Sequence, residues 1–148
     1  MSPPDLMALL CCTSADDWAD FGAALEESRV EVLRTADPEH TRELACLDCF
    51  ALIIVDLDGN SQWPSLLRAL QQQAPGAVLV VYSRLPDERL WIEALEAGAF
   101  DYICKPFYRR DLQWVLENAL QARVKRPACR PVTAEVRDAV SKSDCRAG

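Results

Sequence analysis

Short apolar runs that alternate with longer segments of helical period are the feature that most limits how this chain can fold. Three runs are almost continuously apolar, at 7–12 (MALLCC), 51–56 (ALIIVD) and 77–83 (AVLVVYS). Such runs are typical of strands that are covered on both faces in a parallel sheet. Two weaker runs, at 29–34 and 99–104, bring the number of predicted strands to five.

The segments between these runs have the spacing of amphipathic helices. Trp18, Phe21 and Leu25 share one helical face, and a similar stripe begins at Leu112. Helix start signals precede the first, second and fourth helices, at Ser14, Asp37 and Asp87. The repeated β-α order predicts an α/β protein, a flavodoxin-like (βα)5 three-layer sandwich with a five-stranded parallel sheet.

Length and charge limit the domain organisation and the classes of partner. The 148 residues allow one domain, which we predict at 1–124, followed by a flexible basic tail at 125–148. The tail carries a net charge of +3 and the remainder −10, so the acidic body should repel nucleic acid. Since no apolar run approaches the roughly 18 residues of a membrane span, and no export signal is recognised, we expect a cytoplasmic protein without membrane contact.

The cysteines and the single histidine suggest no chemistry of their own. Seven cysteines without an export signal are expected to be reduced thiols. The lone Cys46–Cys49 CxxC pattern is expected to pack in the core, and a redox role is the weaker alternative. His40, in a polar helical segment, is expected to face solvent, so no histidine-based triad is predicted.

Three chemically useful residues stand at the ends of the predicted third, fourth and fifth strands. They are Asp56, Ser83 and Lys105. In an open parallel sheet, ligands bind at the carboxyl ends of the strands, where these residues should converge. Asp56 is a candidate nucleophile, and Ser83 and Lys105 are candidates to stabilise phosphoryl oxygens.

Three segments resemble a known family. LIIVDLD (52–58), VLVVYSR (78–84) and especially GAFDYICKPF (98–107) are similar to the acceptor, Ser/Thr and Lys-Pro strands of the receiver domains of bacterial two-component response regulators, the CheY-like superfamily. The resemblance spans residues 5–124. It implies that Asp56 is the phosphoacceptor, that Lys105 and Ser83 bind the phosphoryl group, and that Tyr102 is the switch aromatic. It also implies a histidine kinase or phosphotransfer protein as the phosphoryl donor.

The sequence departs from that family where magnesium should bind. Receivers carry two acidic residues after the first strand, and here the helix register puts Thr13 and Ser14 at those positions. Hydroxyls replace carboxylates poorly as Mg²⁺ ligands, so we expect weak magnesium binding and no tightly bound cofactor. Using Asp16 and Asp17 instead would require a register slip that turns Trp18 off the core face, so these aspartates are expected to serve only the helix dipole.

Two charged residues near the predicted acceptor are interpreted as modulators of the site. Arg84 follows Ser83 where the family usually has a small residue, and its guanidinium could block access or pair with Asp56. Asp58 lies two positions beyond the acceptor, and its carboxylate is expected to compensate in part for the missing acidic pair.

An exposed aromatic surface is predicted on the last two helices. Trp91, Trp114 and Val115 should lie off the buried side, while the core stripe of the fourth helix should run through Ile92, Leu95 and Ala99. Exposed aromatics are frequent anchors of protein interfaces. The resemblance implies a partner face formed by helix four, strand five and helix five, used for homodimerisation or for docking another signalling protein.

The favoured hypothesis is a stand-alone, non-enzymatic receiver domain with Asp56 as phosphoacceptor. The first alternative is a pseudo-receiver, a protein-interaction module that works without phosphorylation. A third hypothesis is a small flavodoxin-like protein that binds a nucleotide or flavin. It would need a Gly-rich phosphate loop after the first strand, where CCTSADD has no glycine.

Overall fold

The computed structural model describes residues 6–47 and 49–124, which form five strands and five helices in strict alternation. The strands are β1 Leu6–Cys11, β2 Val30–Thr35, β3 Leu52–Asp56, β4 Val78–Ser83 and β5 Asp101–Cys104. The helices are α1 Ala15–Glu26, α2 Pro38–Ala45, α3 Trp63–Gln73, α4 Glu88–Glu96 and α5 Arg109–Val124. The predicted (βα)5 order is confirmed, while the predicted tail at 125–148 lies outside the described residues.

The strands form one parallel sheet in the order β2-β1-β3-β4-β5. The direction of winding reverses between β1 and β3, and ligands bind outside such a switch point in open α/β sheets. Pairing in register brings Cys11 opposite Val55, and Ser83 opposite Cys104. The carboxyl ends of β1, β3, β4 and β5 therefore lie side by side at one edge.

The sheet separates two apolar clusters because successive side chains of a strand point to opposite faces. The α2–α4 core lies between the sheet and α2, α3 and α4, and includes Leu44, Ile53, Val55, Leu67 and Val81. The α1/α5 core lies on the other face and includes Phe21, Leu25, Ile54, Tyr82 and Leu112. None of the helices in the described part of the chain combines the length and apolarity needed to cross a membrane.

The predicted start signals cap their helices. The Ser14 hydroxyl accepts a hydrogen bond from the backbone N–H of Asp17 at 3.3 Å, at the start of α1. The carboxylates of Asp37 and Asp87 cap α2 and α4 in the same manner. These bonds satisfy backbone donors that the first helical turn leaves without partners. Gly98 follows the end of α4 with a φ of 110°, a conformation that residues with a Cβ rarely adopt.

The predicted core stripe of α4 is wrong for its two large members. Ile92 is 49% and Leu95 is 40% exposed, whereas Ala94 and Ala97 are buried. The helix packs through these alanines, so the larger side chains remain at the surface. Ala99 is buried as expected.

Three further predictions about side-chain direction need correction. Val115 is half-buried against the α1/α5 core and is not off the buried side. His40 is half-buried and does not simply face solvent. Of the CxxC pair, Cys49 is buried as predicted, but Cys46 is exposed at the end of α2.

Candidate functional site

Three strand ends carry the predicted chemical groups to one edge of the sheet. Asp56 is the last residue of β3, Ser83 is the last of β4, and Lys105 directly follows β5. Backbone hydrogen bonds extend the pairing beyond the strands, from Leu57 N–H to the Tyr82 carbonyl and from Lys105 N–H to the Ser83 carbonyl, each at 3.0 Å. The three residues therefore lie together as the apolar runs predicted, whereas their phosphoryl-binding roles stay predictions.

Asp56 is half-buried at the centre of this edge. Its Oδ1 accepts the backbone N–H of Asp58 at 2.9 Å, which fixes the carboxyl group across a short turn. Burial raises the pKa of Asp56, and the Asp58 N–H and the Lys105 charge oppose that rise. The carboxyl group is thus oriented by the backbone and is less readily ionised than a surface aspartate.

A cavity of about 130 Å³ lies beside Asp56 and is lined by Cys11, Cys12, Thr13, Ala36, Pro38, Asp56, Asp58, Gly59 and Asn60. Of the two hydroxyl residues predicted at the acidic-pair positions, Thr13 lines this cavity. Ser14 instead caps α1. Cys11, the last residue of β1, and Cys12 line the cavity together with Thr13, and both cysteines are buried.

Asp56 and Asp58 give the cavity two carboxylates, whereas the end of β1 supplies thiols, so the weak magnesium binding expected from the sequence stays a prediction. Mg²⁺ prefers hard oxygen ligands in octahedral geometry, and carboxylates supply most of its protein contacts. Burial raises the pKa of both Cys11 and Cys12, so the thiols stay protonated, and a thiol is a poor ligand for a hard cation. Across residues 6–47 and 49–124, no group of three or more His, Cys, Asp or Glu side chains is arranged to hold a metal.

Lys105 is held by α1. Its Nζ lies 2.7 Å from Oδ2 of Asp17, and the Tyr82 hydroxyl donates to the same oxygen at 2.9 Å. Asp17 is only 4% exposed. The expectation that Asp17 serves only the helix dipole is therefore wrong.

No register slip is needed to bring Asp17 inward. The residue lies in the first turn of α1, over the end of the sheet, and Trp18 beside it remains half-buried against the α1/α5 core. The signal in the sequence is the spacing of Asp17, Phe21 and Leu25 at i, i+4 and i+8, which continues the buried stripe back to a carboxylate.

Two aromatic rings lie close to the Lys105 ammonium. The Nζ lies 5.4 Å from the Tyr82 ring centroid and 5.9 Å from that of Phe107. Both rings contact Phe21 in one cluster. Burial raises the pKa of Tyr82, so its hydroxyl remains a proton donor to Asp17. Sequence reasoning missed Tyr82, because a tyrosine within an apolar strand resembles any other core residue.

Asp58 binds the segment that follows β4. Ser83 Oγ donates to Asp58 Oδ1 at 2.6 Å, and the backbone N–H of Arg84 donates to Oδ2 at 3.0 Å. The Arg84 Nε also lies 3.5 Å from that Oδ2. Of the two interpretations of Arg84, pairing with Asp56 is not what the structure shows, because the guanidinium lies beside the Asp58 carboxylate. Blocking of phosphoryl access stays a prediction.

Tyr102, the predicted switch aromatic, is connected to Ser83 through Leu85. The tyrosine hydroxyl donates to the Leu85 carbonyl at 2.5 Å, and the Leu85 N–H donates to Ser83 Oγ at 3.1 Å. The Tyr102 ring is half-buried against the α2–α4 core. The switch role itself stays a prediction.

The predicted partner face carries an open groove of about 550 Å³, lined by Trp91, Leu95, Phe100, Asp101, Trp114, Asn118, Gln121 and Ala122. Trp91 is 44% and Trp114 is 65% exposed, as predicted. The groove runs between α4, β5 and α5, so the surface exists where the sequence predicted it. Its use by a partner stays a prediction.

Two curated regulatory proteins are similar in sequence to this chain. The C4-dicarboxylate transport transcriptional regulatory protein DctR of Rhodobacter capsulatus is 35% identical over 97 residues, which cover 64% of this chain and 47% of that protein. The regulatory protein VirG of Agrobacterium fabrum is 27% identical over 94 residues, covering 63% and 37%. The chain thus spans less than half the length of these relatives. No family model matches it.

Solved structures share the fold. A response regulator from Thermotoga maritima has a TM-score of 0.74 and 22% identity, with 79% of this chain and 98% of that chain covered. The beryllofluoride-activated NtrC4 receiver domain dimer has a TM-score of 0.72 and 15% identity, with the same coverage. The predicted flavodoxin-like fold and the resemblance to response regulators are therefore confirmed.

Proposed function

We propose that this chain, whose fold is that of a response-regulator receiver domain, accepts a phosphoryl group on Asp56 in two-component signal transduction. The donor would be a histidine kinase or a phosphotransfer protein. The observation that carries the proposal is that Asp56 and Ser83 end β3 and β4, and Lys105 directly follows β5, in three neighbouring parallel strands at one edge. A nucleophilic carboxylate, a hydroxyl and an ammonium group are together suited to phosphoryl transfer.

In the proposed reaction, a carboxylate oxygen of Asp56 attacks the phosphorus of a phosphohistidine. The new oxygen–phosphorus bond forms as the phosphorus–nitrogen bond breaks, and the imidazole nitrogen keeps the electron pair and takes up a proton. The Ser83 hydroxyl and the Lys105 ammonium stabilise the charge on the phosphoryl oxygens. Each of these groups already binds a carboxylate, Asp58 and Asp17 respectively, so each must share or leave that partner.

The proposed output is protein binding at the groove between α4, β5 and α5. Trp91 and Trp114 supply exposed aromatic area there, which favours docking of a signalling protein or of a second copy of this chain. In this proposal the domain acts as a signalling module and has no enzymatic turnover of its own.

Acetyl phosphate or beryllofluoride in millimolar Mg²⁺ tests the acceptor, with intact mass and tryptophan fluorescence as readouts. We expect a single adduct that is absent in Asp56→Asn and retained in Asp20→Asn, a matched change at an exposed position of α1. An adduct that persists in Asp56→Asn would place the acceptor elsewhere.

The second candidate function is a pseudo-receiver that binds partners without phosphorylation. The specific observation in its favour is that two protonated thiols, Cys11 and Cys12, line the cavity beside Asp56, where carboxylates would bind magnesium better. Failure of every phosphoryl donor to modify the folded protein, with partner binding at the tryptophan groove retained, would favour this function over the first.

A further inference from the structure

The Asp58 carboxylate binds the Ser83 hydroxyl, which is also a proposed ligand of a phosphoryl group on Asp56, together with the neighbouring Arg84 N–H. Ser83 Oγ–H bonds one carboxylate oxygen at 2.6 Å and the Arg84 backbone N–H bonds the other at 3.0 Å. Both are charge-assisted bonds, which are stronger than bonds between neutral groups. The guanidinium of Arg84, at 3.5 Å, adds a positive charge on the same side.

Asp58 and Asp56 belong to one turn. The Asp58 N–H donates to Asp56 Oδ1 at 2.9 Å, so the two carboxylates are held near each other by two residues of backbone. Asp58 lines both the cavity beside Asp56 and the cavity beside Ser83 and Arg84, so a phosphoryl group on Asp56 that bound the Ser83 hydroxyl would meet the Asp58 carboxylate. Because two anions cannot share two donors without strong repulsion, a phosphoryl group and the Asp58 carboxylate compete for this position.

The bonds of Asp58 continue to the predicted switch aromatic. Ser83 Oγ, held by Asp58, accepts the Leu85 N–H at 3.1 Å, and the Leu85 carbonyl accepts the Tyr102 hydroxyl at 2.5 Å. An anion at the end of β4 thereby fixes the Ser83–Leu85 backbone, and this backbone fixes the Tyr102 ring. Tyr102 is in β5 directly after Asp101, and Asp101 lines the groove that carries the tryptophans.

We propose that Asp58 is an internal substitute for the phosphoryl group. Its carboxylate fills the anion site at the end of β4, so the unmodified protein already holds Ser83, Leu85 and Tyr102 in their anion-bound arrangement. The same carboxylate weakens binding of a phosphoryl group at Asp56. The competition rests on the proposed acceptor function, whereas the anion-bound arrangement of the unmodified protein does not.

The first experiment measures backbone amide hydrogen exchange by NMR in the unphosphorylated protein. We expect Asp58→Ala to accelerate exchange at Arg84 and Leu85 by roughly tenfold or more and to shift the Tyr102 ring signals, because two charge-assisted bonds are lost. Asp58→Asn keeps the shape and one acceptor oxygen, and should give a smaller acceleration. Asp37→Ala is the matched control, since the Asp37 carboxylate binds the Glu39 N–H at the start of α2.

The second experiment titrates beryllofluoride in millimolar Mg²⁺ against wild type, Asp58→Ala and Asp58→Asn. We expect Asp58→Ala to lower the half-saturating concentration by about tenfold or more, and Asp58→Asn to lower it less. Equal affinity in wild type and Asp58→Ala would overturn the competition.

The two experiments separate this inference from the proposed acceptor function. Unchanged amide exchange in both Asp58 variants would overturn the substitute role, whatever Asp56 does. Faster exchange in the Asp58 variants, with no beryllofluoride bound by any of them, would support the anion-bound arrangement and count against Asp56 as acceptor.

Discussion

At the scale of single residues, the buried contact between Asp17 and Lys105 should contribute measurably to stability. We expect Asp17→Ala to lower the free energy of unfolding by about 2–4 kcal/mol, because the Lys105 ammonium and the Tyr82 hydroxyl lose their common acceptor. Urea denaturation measures the change. Arg42→Ala, which breaks the exposed pair with Glu39, is the control and should cost less than about 0.5 kcal/mol. Equal losses in the two variants would contradict a buried, cooperative contact.

The buried carboxyl group of Asp56 should make stability depend on pH. Burial raises its pKa above the unfolded value, so the folded state keeps a proton that the unfolded chain releases. Ionisation of Asp56 therefore lowers the free energy of unfolding as pH rises past about 4. The loss is complete once the pH exceeds the pKa of Asp56 in the folded protein. Asp56→Asn should raise the thermal midpoint by a few degrees at neutral pH.

Circular dichroism melts at several pH values test that dependence. The difference in thermal midpoint between Asp56→Asn and wild type should shrink as pH falls to about 4 and below, where Asp56 becomes protonated in the unfolded chain as well as in the folded protein. Asp20→Asn at an exposed position should show no such trend. A constant difference at all pH values would mean that ionisation of Asp56 is not its cause.

Residue identities at the strand ends could be predicted from the sequence, but their side-chain partners could not. Asp56, Ser83 and Lys105 follow apolar runs, and parallel pairing alone brings them to one edge. The contacts of Lys105 with Asp17 and of Ser83 with Asp58 depend on which way short polar side chains point within a turn. The first turn of α1 and the backbone after β3 set the direction of these side chains. The spacing of apolar residues does not predict that direction.

At the scale of elements, the turn between α4 and β5 depends on glycine. Gly98 has a φ of 110°, so Gly98→Ala should cost about 1–3 kcal/mol from backbone strain. An added Cβ would also lie 2.5 Å from the end of the Gln71 side chain, which can move aside, so the backbone carries most of the cost.

The matched control is Gly22→Ala within α1. A Cβ at that position meets no atom within 4 Å, and alanine favours helix, so this variant should gain about 0.5–1 kcal/mol. Thermal or urea unfolding measures the change in the free energy of unfolding, which should be a loss for Gly98→Ala and a gain for Gly22→Ala. A loss of stability in Gly22→Ala would mean that α1 does not tolerate even a methyl group there.

The number and order of elements followed from the sequence more reliably than the faces of the helices. Five strands and three helix caps lie where the apolar runs and start signals predicted. In α4 the largest apolar residues were expected to be buried, yet Ala94 and Ala97 face the core. Close packing of a helix selects small residues where the space is narrow, and periodicity alone cannot distinguish that case from a stripe of large ones.

At the scale of the whole molecule, tryptophans divide into core and surface members. Trp63 is 7% exposed, so Trp63→Ala should lower the free energy of unfolding by about 3–5 kcal/mol. Trp114 is 65% exposed, and Trp114→Ala should change the free energy of unfolding by less than about 0.5 kcal/mol. Urea unfolding measures both values.

The exposed face can then be tested without disturbing the fold. If a second copy binds at the groove between α4, β5 and α5, Trp114→Glu should shift sedimentation velocity toward monomer, because a buried charge opposes association. Asp20→Asn, on α1, should leave the distribution unchanged. A dimer that survives Trp114→Glu would place its interface on another surface.

The sheet divides the candidate site between its two faces. Lys105 and Tyr82 are tied to α1 through Asp17, on the side of α5, whereas Tyr102 packs against the core on the side of α2, α3 and α4. A change that loosens α1 or α5 should therefore displace the Lys105 ammonium before Tyr102. A change that loosens α4 should displace Tyr102 before Lys105. Two probes, one in each layer, would report on the two groups separately, because the five-stranded sheet lies between them.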